Sequence, residues 1–208
     1  MTITRLQVGL IGTNCYIIRP DDGKTYVIDP GDAAQRIEDA APNPDFFLLT
    51  HAHWDHLLAL EELHKRFPKA AICVHPEAMY NTEDIVALMQ TIDPALARHC
   101  ASRVGNLPPA GIRPRDGETV GPFEVIHTPG HEPGCVCYYL RDENVLFSGD
   151  TLFADCFGRT DLKGSSPANM RRSLLKLQTI IRPDTRILPG HGAEGKASFA
   201  LESSLAMC

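Results

Sequence analysis

The 208-residue chain has no apolar run of membrane-spanning length, no CxxC pair, no internal repeat, no low-complexity tract and no cluster of basic residues. A helix that crosses a bilayer needs about 20 consecutive apolar residues, so none is expected here. Twenty Lys and Arg stand against 26 Asp and Glu, a net charge of −6. That balance argues against nucleic acid or an anionic membrane as partner. The opening Met-Thr-Ile-Thr-Arg-Leu lacks the apolar stretch and small-residue cleavage site of a signal peptide. The seven cysteines, at positions 15, 73, 100, 135, 137, 156 and 208, are odd in number and scattered. Reduced thiols in a cytoplasmic protein are therefore expected, not a disulfide framework.

What is present is a globular composition, 43% hydrophobic and 22% charged, enough to bury a core. Short β-like runs at 5–8, 14–18 and 26–29 come first, the last two separated by the turn residues 20–23. A short helix at 33–40, a buried strand at 46–50, a helix carrying Leu57, Leu60, Leu63 and Phe67, and a strand at 71–74 follow. Strands are expected again at 123–127, 135–140 and 145–148. A helix opening at Pro167, with Met170, Leu174, Leu177 and Ile181 on one stripe, leads to a last strand at 186–188. Residues 76–115 read as an excursion or lid over the core of a single domain, 1–208. Interleaved helices and strands predict a layered α/β arrangement with two largely antiparallel sheets.

The informative segment is Thr50-His-Ala-His-Trp-Asp-His56, four potential ligands within six residues directly after a buried strand. His51 and His53 lie two apart on extended chain and project to one side. Asp55 and His56 are adjacent, so the chain must turn there, and a split between two metal ions is natural. Three more candidates end apolar strands behind a glycine: His131, Asp150 and His191. Glycine lets the backbone turn sharply, so that strand ends can feed side chains to a common centre. Five His and two Asp are too many for one tetrahedral zinc and suit two ions with one bridging carboxylate. These donors fit Zn²⁺ first, with Fe²⁺ or Mn²⁺ taken by the same cage.

The set His51-x-His53-x-Asp55-His56, His131, Asp150 and His191 resembles the metallo-β-lactamase superfamily, and within it the glyoxalase II (hydroxyacylglutathione hydrolase) type. Thr13-Asn-Cys-Tyr16, Ile28-Asp-Pro-Gly31, Ser148-Gly-Asp-Thr-Leu-Phe153, Gly158-Arg-Thr-Asp161 and Pro189-Gly-His-Gly192 stand in family order, over roughly residues 3–192. The resemblance implies a four-layer αββα sandwich with the metals between the sheet edges. It places His51, His53 and His131 on the first metal, Asp55, His56 and His191 on the second, and Asp150 between them. Asp29 would orient a ligand histidine from behind, and Arg159 and Asp161 would brace the loop after Asp150. The implied chemistry is hydrolysis by a hydroxide shared between the metals, with Asp55 orienting it or taking its proton. No strong general acid other than Asp55 stands near the motifs. That favours a thioester or activated ester as small-molecule substrate, because a thiolate leaves readily.

Departures from the family pattern carry expectations of their own. Leu58 and Ala59 replace two usual glycines and would alter how the next helix packs on the metal loop. Glu132 stands where Thr or Ser is common and would place an extra carboxylate near the mouth. Only 17 residues follow His191, so the helical domain that helps bind glutathione in full-length glyoxalase II has no counterpart. Two other readings share the motif: a persulfide dioxygenase-like enzyme with one iron, and a lactone or β-lactam hydrolase. His64 and His99 read as surface residues, His127 as packing beside the site, and His75 as a turn residue.

Overall fold

The computed structural model describes residues 1–208 except the side chain of His99, whose expected surface position therefore lies outside the described residues. The chain begins with a hairpin. Strand β1 (Thr2–Val8) pairs antiparallel with β2 (Thr13–Arg19), from Thr2 opposite Arg19 to Val8 opposite Thr13. The tip turns on Gly9 and Gly12, at φ +71° and +70°, and leaves Leu10 and Ile11 exposed. Next come β3 (Tyr26–Ile28), helix α1 (Ala34–Ala40), β4 (Phe46–Leu48), α2 (Leu60–Arg66) and β5 (Ala71–Cys73). The sheet order is β1-β2-β3-β4-β5, antiparallel through β3 and parallel from β3 to β5. Val27, Ile28, Phe47, Leu48, Ile72 and Cys73 are all buried. Such continuous apolar runs are what parallel strands covered on both faces require.

The chain divides into two compact units. The first comprises Met1–Val74 and Met79–Arg113. Its later part holds α3 (Thr82–Ile92) and α4 (Pro94–Cys100). The Asn81 side chain accepts from the Asp84 N–H and starts α3. Asp93 accepts from the N–H groups of Ala95 and Leu96, and Pro94 occupies the first turn of α4. After these helices Ile112 returns beside β5 as a parallel bridge to Cys73.

The second unit comprises His75–Ala78 and Pro114–Cys208. It contains β6 (Thr119–Val120), β7 (Phe123–His127), β8 (Val136–Leu140), β9 (Val145–Gly149), α5 (Pro167–Ile180), β10 (Arg186–Pro189), β11 (Gly195–Lys196) and α6 (Ala197–Met207). Its sheet runs β11-β10-β9-β8-β7-β6, with β9–β10 parallel and the other pairs antiparallel. Ser166 caps α5 by accepting from the Asn169 N–H. The stripe Met170, Leu174 and Leu177 packs with Ile126, Tyr139, Leu146 and Ile187 of the sheet, and α6 adds Ala200 and Leu201 to that core. The expected helices and strands are present, and the two-sheet α/β class holds. Six of the nine strand pairs are antiparallel, as expected, and the three parallel ones, β3–β4, β4–β5 and β9–β10, are those whose strands are joined through α1, α2 and α5. Helices α4 and α6 and strands β6 and β11 were not expected.

Candidate metal centre

In the first unit, β4 runs on through Leu49 and Thr50 to His51, all buried. His53 is still extended, at φ −69° and ψ 145°, and a single 3₁₀ turn, Trp54–His56, then swings the chain aside. The His51 and His53 rings stand edge to face with centroids 4.6 Å apart, and those of His51 and His56 are 4.1 Å apart. Behind them lies Asp29, buried at the end of β3 and held at φ +52°, a conformation uncommon for a residue other than glycine. Its Oδ1 accepts from the Thr50 backbone N–H at 2.8 Å. Its Oδ2 accepts from Thr50 Oγ1 at 2.7 Å and pairs with His56 Nδ1 at 2.9 Å.

These contacts fix the tautomers. A carboxylate only accepts, so His56 Nδ1 carries its proton toward Asp29. The single hydroxyl proton of Thr50 goes to Asp29, so Thr50 Oγ1 accepts from His51 Nδ1 at 3.1 Å. In both rings the lone pair is left on Nε2. Asp55 is positioned from the hairpin: Thr13 Oγ1 donates to its Oδ2 at 2.8 Å, across 42 residues of sequence. The turn packs so closely that a Cβ on Gly31 would fall 1.9 Å from the Asp55 carbonyl oxygen. Leu58 and Ala59 are buried, and the Ala59 N–H donates to the Pro30 carbonyl at 3.0 Å. The larger side chains at the two positions are thus absorbed in the core.

In the second unit, His131 follows β7, Asp150 follows β9 and His191 follows β10. His131 Nδ1 lies 2.8 Å from the Arg159 carbonyl, which can only accept, so here too the lone pair is on Nε2. His131 Nε2 and His191 Nε2 each lie 3.6 Å from the same oxygen, Asp150 Oδ2. A Cβ on Gly158 would meet the Asp150 carbonyl oxygen at 2.0 Å and His131 Nδ1 at 3.1 Å. Arg159 grips Asp161 with two hydrogen bonds of 2.7 and 2.8 Å, and that guanidinium draws the Asp161 carboxyl down to about 2. The Arg159 side chain thus holds the loop while its carbonyl holds His131.

The donor chemistry suits divalent ions. In the first unit His56 Nε2, a lone-pair atom, faces Asp55 Oδ2 at 3.2 Å. In the second, the His131 lone pair and His191 Nε2 each stand 3.6 Å from one carboxylate oxygen. Two acceptors hold that spacing when a cation or a proton lies between them. Ligand atoms 2.0–2.1 Å from a tetrahedral zinc are about 3.3 Å from one another. Each of the seven residues offers one such donor atom: His51, His53, Asp55 and His56 from the first unit, His131, Asp150 and His191 from the second.

Glu132 takes a different place from that expected, whereas His75 opens a turn as expected, its carbonyl accepting from the Ala78 N–H at 3.1 Å. Glu132 is fully buried, not at a mouth, and its Oε2 accepts from the Gly134 N–H at 3.0 Å, closing the turn before β8. Burial and this neighbouring carboxylate push the Cys135 thiol well up. His75 is buried and stacks on His127 with centroids 4.0 Å apart. Its Nδ1 accepts from the Glu77 N–H, and burial, with His127 alongside, holds it down to about 4. All seven cysteines are free. Thr13 and Thr50 carry positioning roles that sequence reasoning did not assign. The only sequence signal is that Thr13 opens a quoted motif and Thr50 precedes the first histidine.

A family model described as the metallo-β-lactamase superfamily matches residues 8–191. A Bacillus subtilis protein named probable metallo-hydrolase YqgX is 34% identical over 197 residues, covering 91% of this chain and 90% of its own. A Haemophilus influenzae protein named hydroxyacylglutathione hydrolase GloC is 29% identical over 201 residues, covering 93% and 92%. The crystal structure of TTHA1623 in a di-iron-bound form superposes with a TM-score of 0.82 at 29% identity, covering 97% of this chain and 98% of that one. The two sheets and their helices match the fold of such neighbours. Among the described residues no helix is long and apolar enough to cross a membrane.

Proposed function

The chain belongs to the metallo-β-lactamase superfamily, and on that premise we propose that it is a binuclear metal-dependent thioester hydrolase of the hydroxyacylglutathione hydrolase type. His51, His53 and His131 would hold one divalent ion and Asp55, His56 and His191 a second, with Asp150 available to both and zinc the preferred metal. The observation that carries this reading is the repeated pairing of an imidazole Nε2 with a carboxylate oxygen, 3.2 Å at Asp55 and 3.6 Å twice at Asp150. Behind two of these imidazoles an acceptor already holds the Nδ1 proton. The ions, when bound, supply Lewis acidity that activates water and polarises the scissile carbonyl. Asp55, fixed in place by the Thr13 hydroxyl, orients the attacking water and takes its proton. The leaving thiolate needs no protonation by the protein. The GloC relative supports the choice of thioester, and the seven free thiols accord with a cytoplasmic setting.

Metal analysis of protein purified without added metal, followed by assays of S-D-lactoylglutathione and a glutathione-free thioester, tests the reading. Two metals per chain and hydrolysis of a thioester are expected. His53→Ala should lose at least about a hundredfold in kcat/KM, roughly the scale of one lost metal or catalytic group, with its unfolding midpoint nearly unchanged in the metal-free form. One iron per chain with oxygen uptake on a persulfide, turnover confined to β-lactams, or full activity of His53→Ala would overturn it.

A further inference from the structure

The second unit delivers His131 and Asp150 from strands that are not neighbours. Its sheet order places β8 between β7, which ends before His131, and β9, which ends before Asp150. β7 and β9 therefore run two strand spacings, about 10 Å, apart, and no ladder bond joins their ends. His191 differs, because β10 pairs directly with β9, and the Gly190 N–H donates to the Gly149 carbonyl at 2.8 Å. Backbone thus ties the turn of His191 to the turn of Asp150. A tie between the ends of β7 and β9 has to cross β8.

Side chains make that crossing. Thr128 directly follows β7, three residues before His131, and Thr151 directly follows Asp150. Their hydroxyl oxygens are 2.8 Å apart. Thr151 Oγ1 also donates to the Thr128 carbonyl at 3.5 Å, which leaves the Thr128 proton for Thr151 Oγ1. From β8, Cys137 Sγ stands 3.5 Å from Thr128 Oγ1 and 3.7 Å from the Ser148 carbonyl. Burial pushes that thiol up to about 11, so it keeps its proton and remains a donor. Ser148 Oγ donates to the Leu152 carbonyl at 2.6 Å and closes the turn that carries Asp150. Thr128, Cys137, Ser148 and Thr151 are all buried.

This pair spaces the two chain segments as well as filling the interior between them. Branching at Cβ stiffens χ1 of each threonine, so a contact between the hydroxyls fixes the two backbones and not only the two oxygens. A buried hydroxyl is costly without a partner, so separation of the pair is opposed. On its other side the turn at 128–131 is seated on α5. Ser173 Oγ donates to the Pro129 carbonyl at 2.7 Å, and the Ser166 N–H donates to the Gly130 carbonyl at 2.8 Å.

We infer that the Thr128–Thr151 hydroxyl pair is a latch that sets the distance of His131 from Asp150, and with it the affinity of this half of the candidate centre for a divalent ion. The two threonines act through His131 and Asp150 and are positioning residues. The inference rests on the metal reading of those two side chains and not on the choice of a thioester as substrate.

Zinc titration of the metal-free, full-length protein in competition with a chromogenic chelator tests the latch. Thr151→Val keeps the shape of the side chain and deletes the hydroxyl, whereas Thr151→Ser keeps the hydroxyl and deletes a methyl group. The valine variant should lose about 10- to 100-fold in affinity for at least one zinc ion, the scale found when a group behind a metal ligand is removed. The serine variant should bind zinc much as wild type does. In Thr128→Val/Thr151→Val neither hydroxyl is left without its partner, so the metal-free form should unfold near the wild-type midpoint. Its zinc affinity should still fall as far as in Thr151→Val and no further, because both changes open one latch. Wild-type zinc affinity in the double variant, or a serine variant as weak as the valine one, would overturn the latch. No zinc uptake by wild type would overturn the latch and the metal centre together. Weakened zinc binding in the valine variants, with no hydrolysis of any thioester by wild type, would support the latch and overturn the thioester reading alone.

Discussion

Asp29 makes three hydrogen bonds that together decide where the protons of His51 and His56 reside. Replacing one of its oxygens by an amide group, as in Asp29→Asn, puts donor against donor at Thr50 or His56. His56 is then driven toward the tautomer with its proton on Nε2, which cannot ligate. The expected result is a 10- to 100-fold loss of metal affinity, on the scale known for groups behind metal ligands, read by competition with a chromogenic chelator. Ligand types were readable in the sequence because four of them crowd into residues 51–56 and the other three follow glycines at strand ends. The groups that orient them were less readable. Thr13 and Asp55 are 42 residues apart, and Thr50 and Asp29 are 21 apart, so no local spacing announces either contact.

At the scale of elements, each candidate ligand cluster stands where a buried strand stops: β4 before His51, β7 before His131, β9 before Asp150, β10 before His191. Strands with an apolar run and a glycine brake were accordingly legible. Helix α6 was not, because Phe199, Leu201, Leu205 and Met207 fall around its circumference and no stripe of period 3.6 emerges. It also starts at Ala197 without a capping side chain. Helix α4 did carry a signal, Asp93 followed by Pro94, the usual cap and first-turn pair. The turn closed by Glu132 shows how tightly elements meet. A Cβ on Gly134 would lie 2.1 Å from the Ala78 nitrogen and 2.2 Å from its Cα. Gly134→Ala should therefore destabilise the protein by about 1–3 kcal/mol through overpacking. Gly111→Ala, where the added carbon meets nothing within 4 Å, should fall within about 0.5 kcal/mol of wild type. Urea midpoints of the two variants provide the comparison.

For the molecule as a whole, the stacked pair His75 and His127 predicts an acid-sensitive stability. His75 titrates near 6.5 in the unfolded chain and is held down to about 4 in the fold by burial and by His127, with Arg115 acting in the same direction and Glu77 and Asp116 opposing. The neutral ring is the folded form, so its contribution is complete above pH 6.5 and is lost as pH falls through 4. Between pH 7.5 and 5 this group should cost about 2 kcal/mol. His75→Gln keeps an acceptor for the Glu77 N–H but cannot be protonated. Its urea-derived stability should fall less steeply across that interval, and identical pH slopes for variant and wild type would refute the assignment.

The four residues His75–Ala78 belong to the second unit although Val74 before them and Met79 after them belong to the first. One cut at 113/114 leaves the carboxyl-terminal piece without this strap, and one cut at 74/75 carries most of the excursion away from its own sheet. A gene with this itinerary offers no point at which one crossover exchanges a whole unit together with its candidate ligand cluster and leaves the other unit intact.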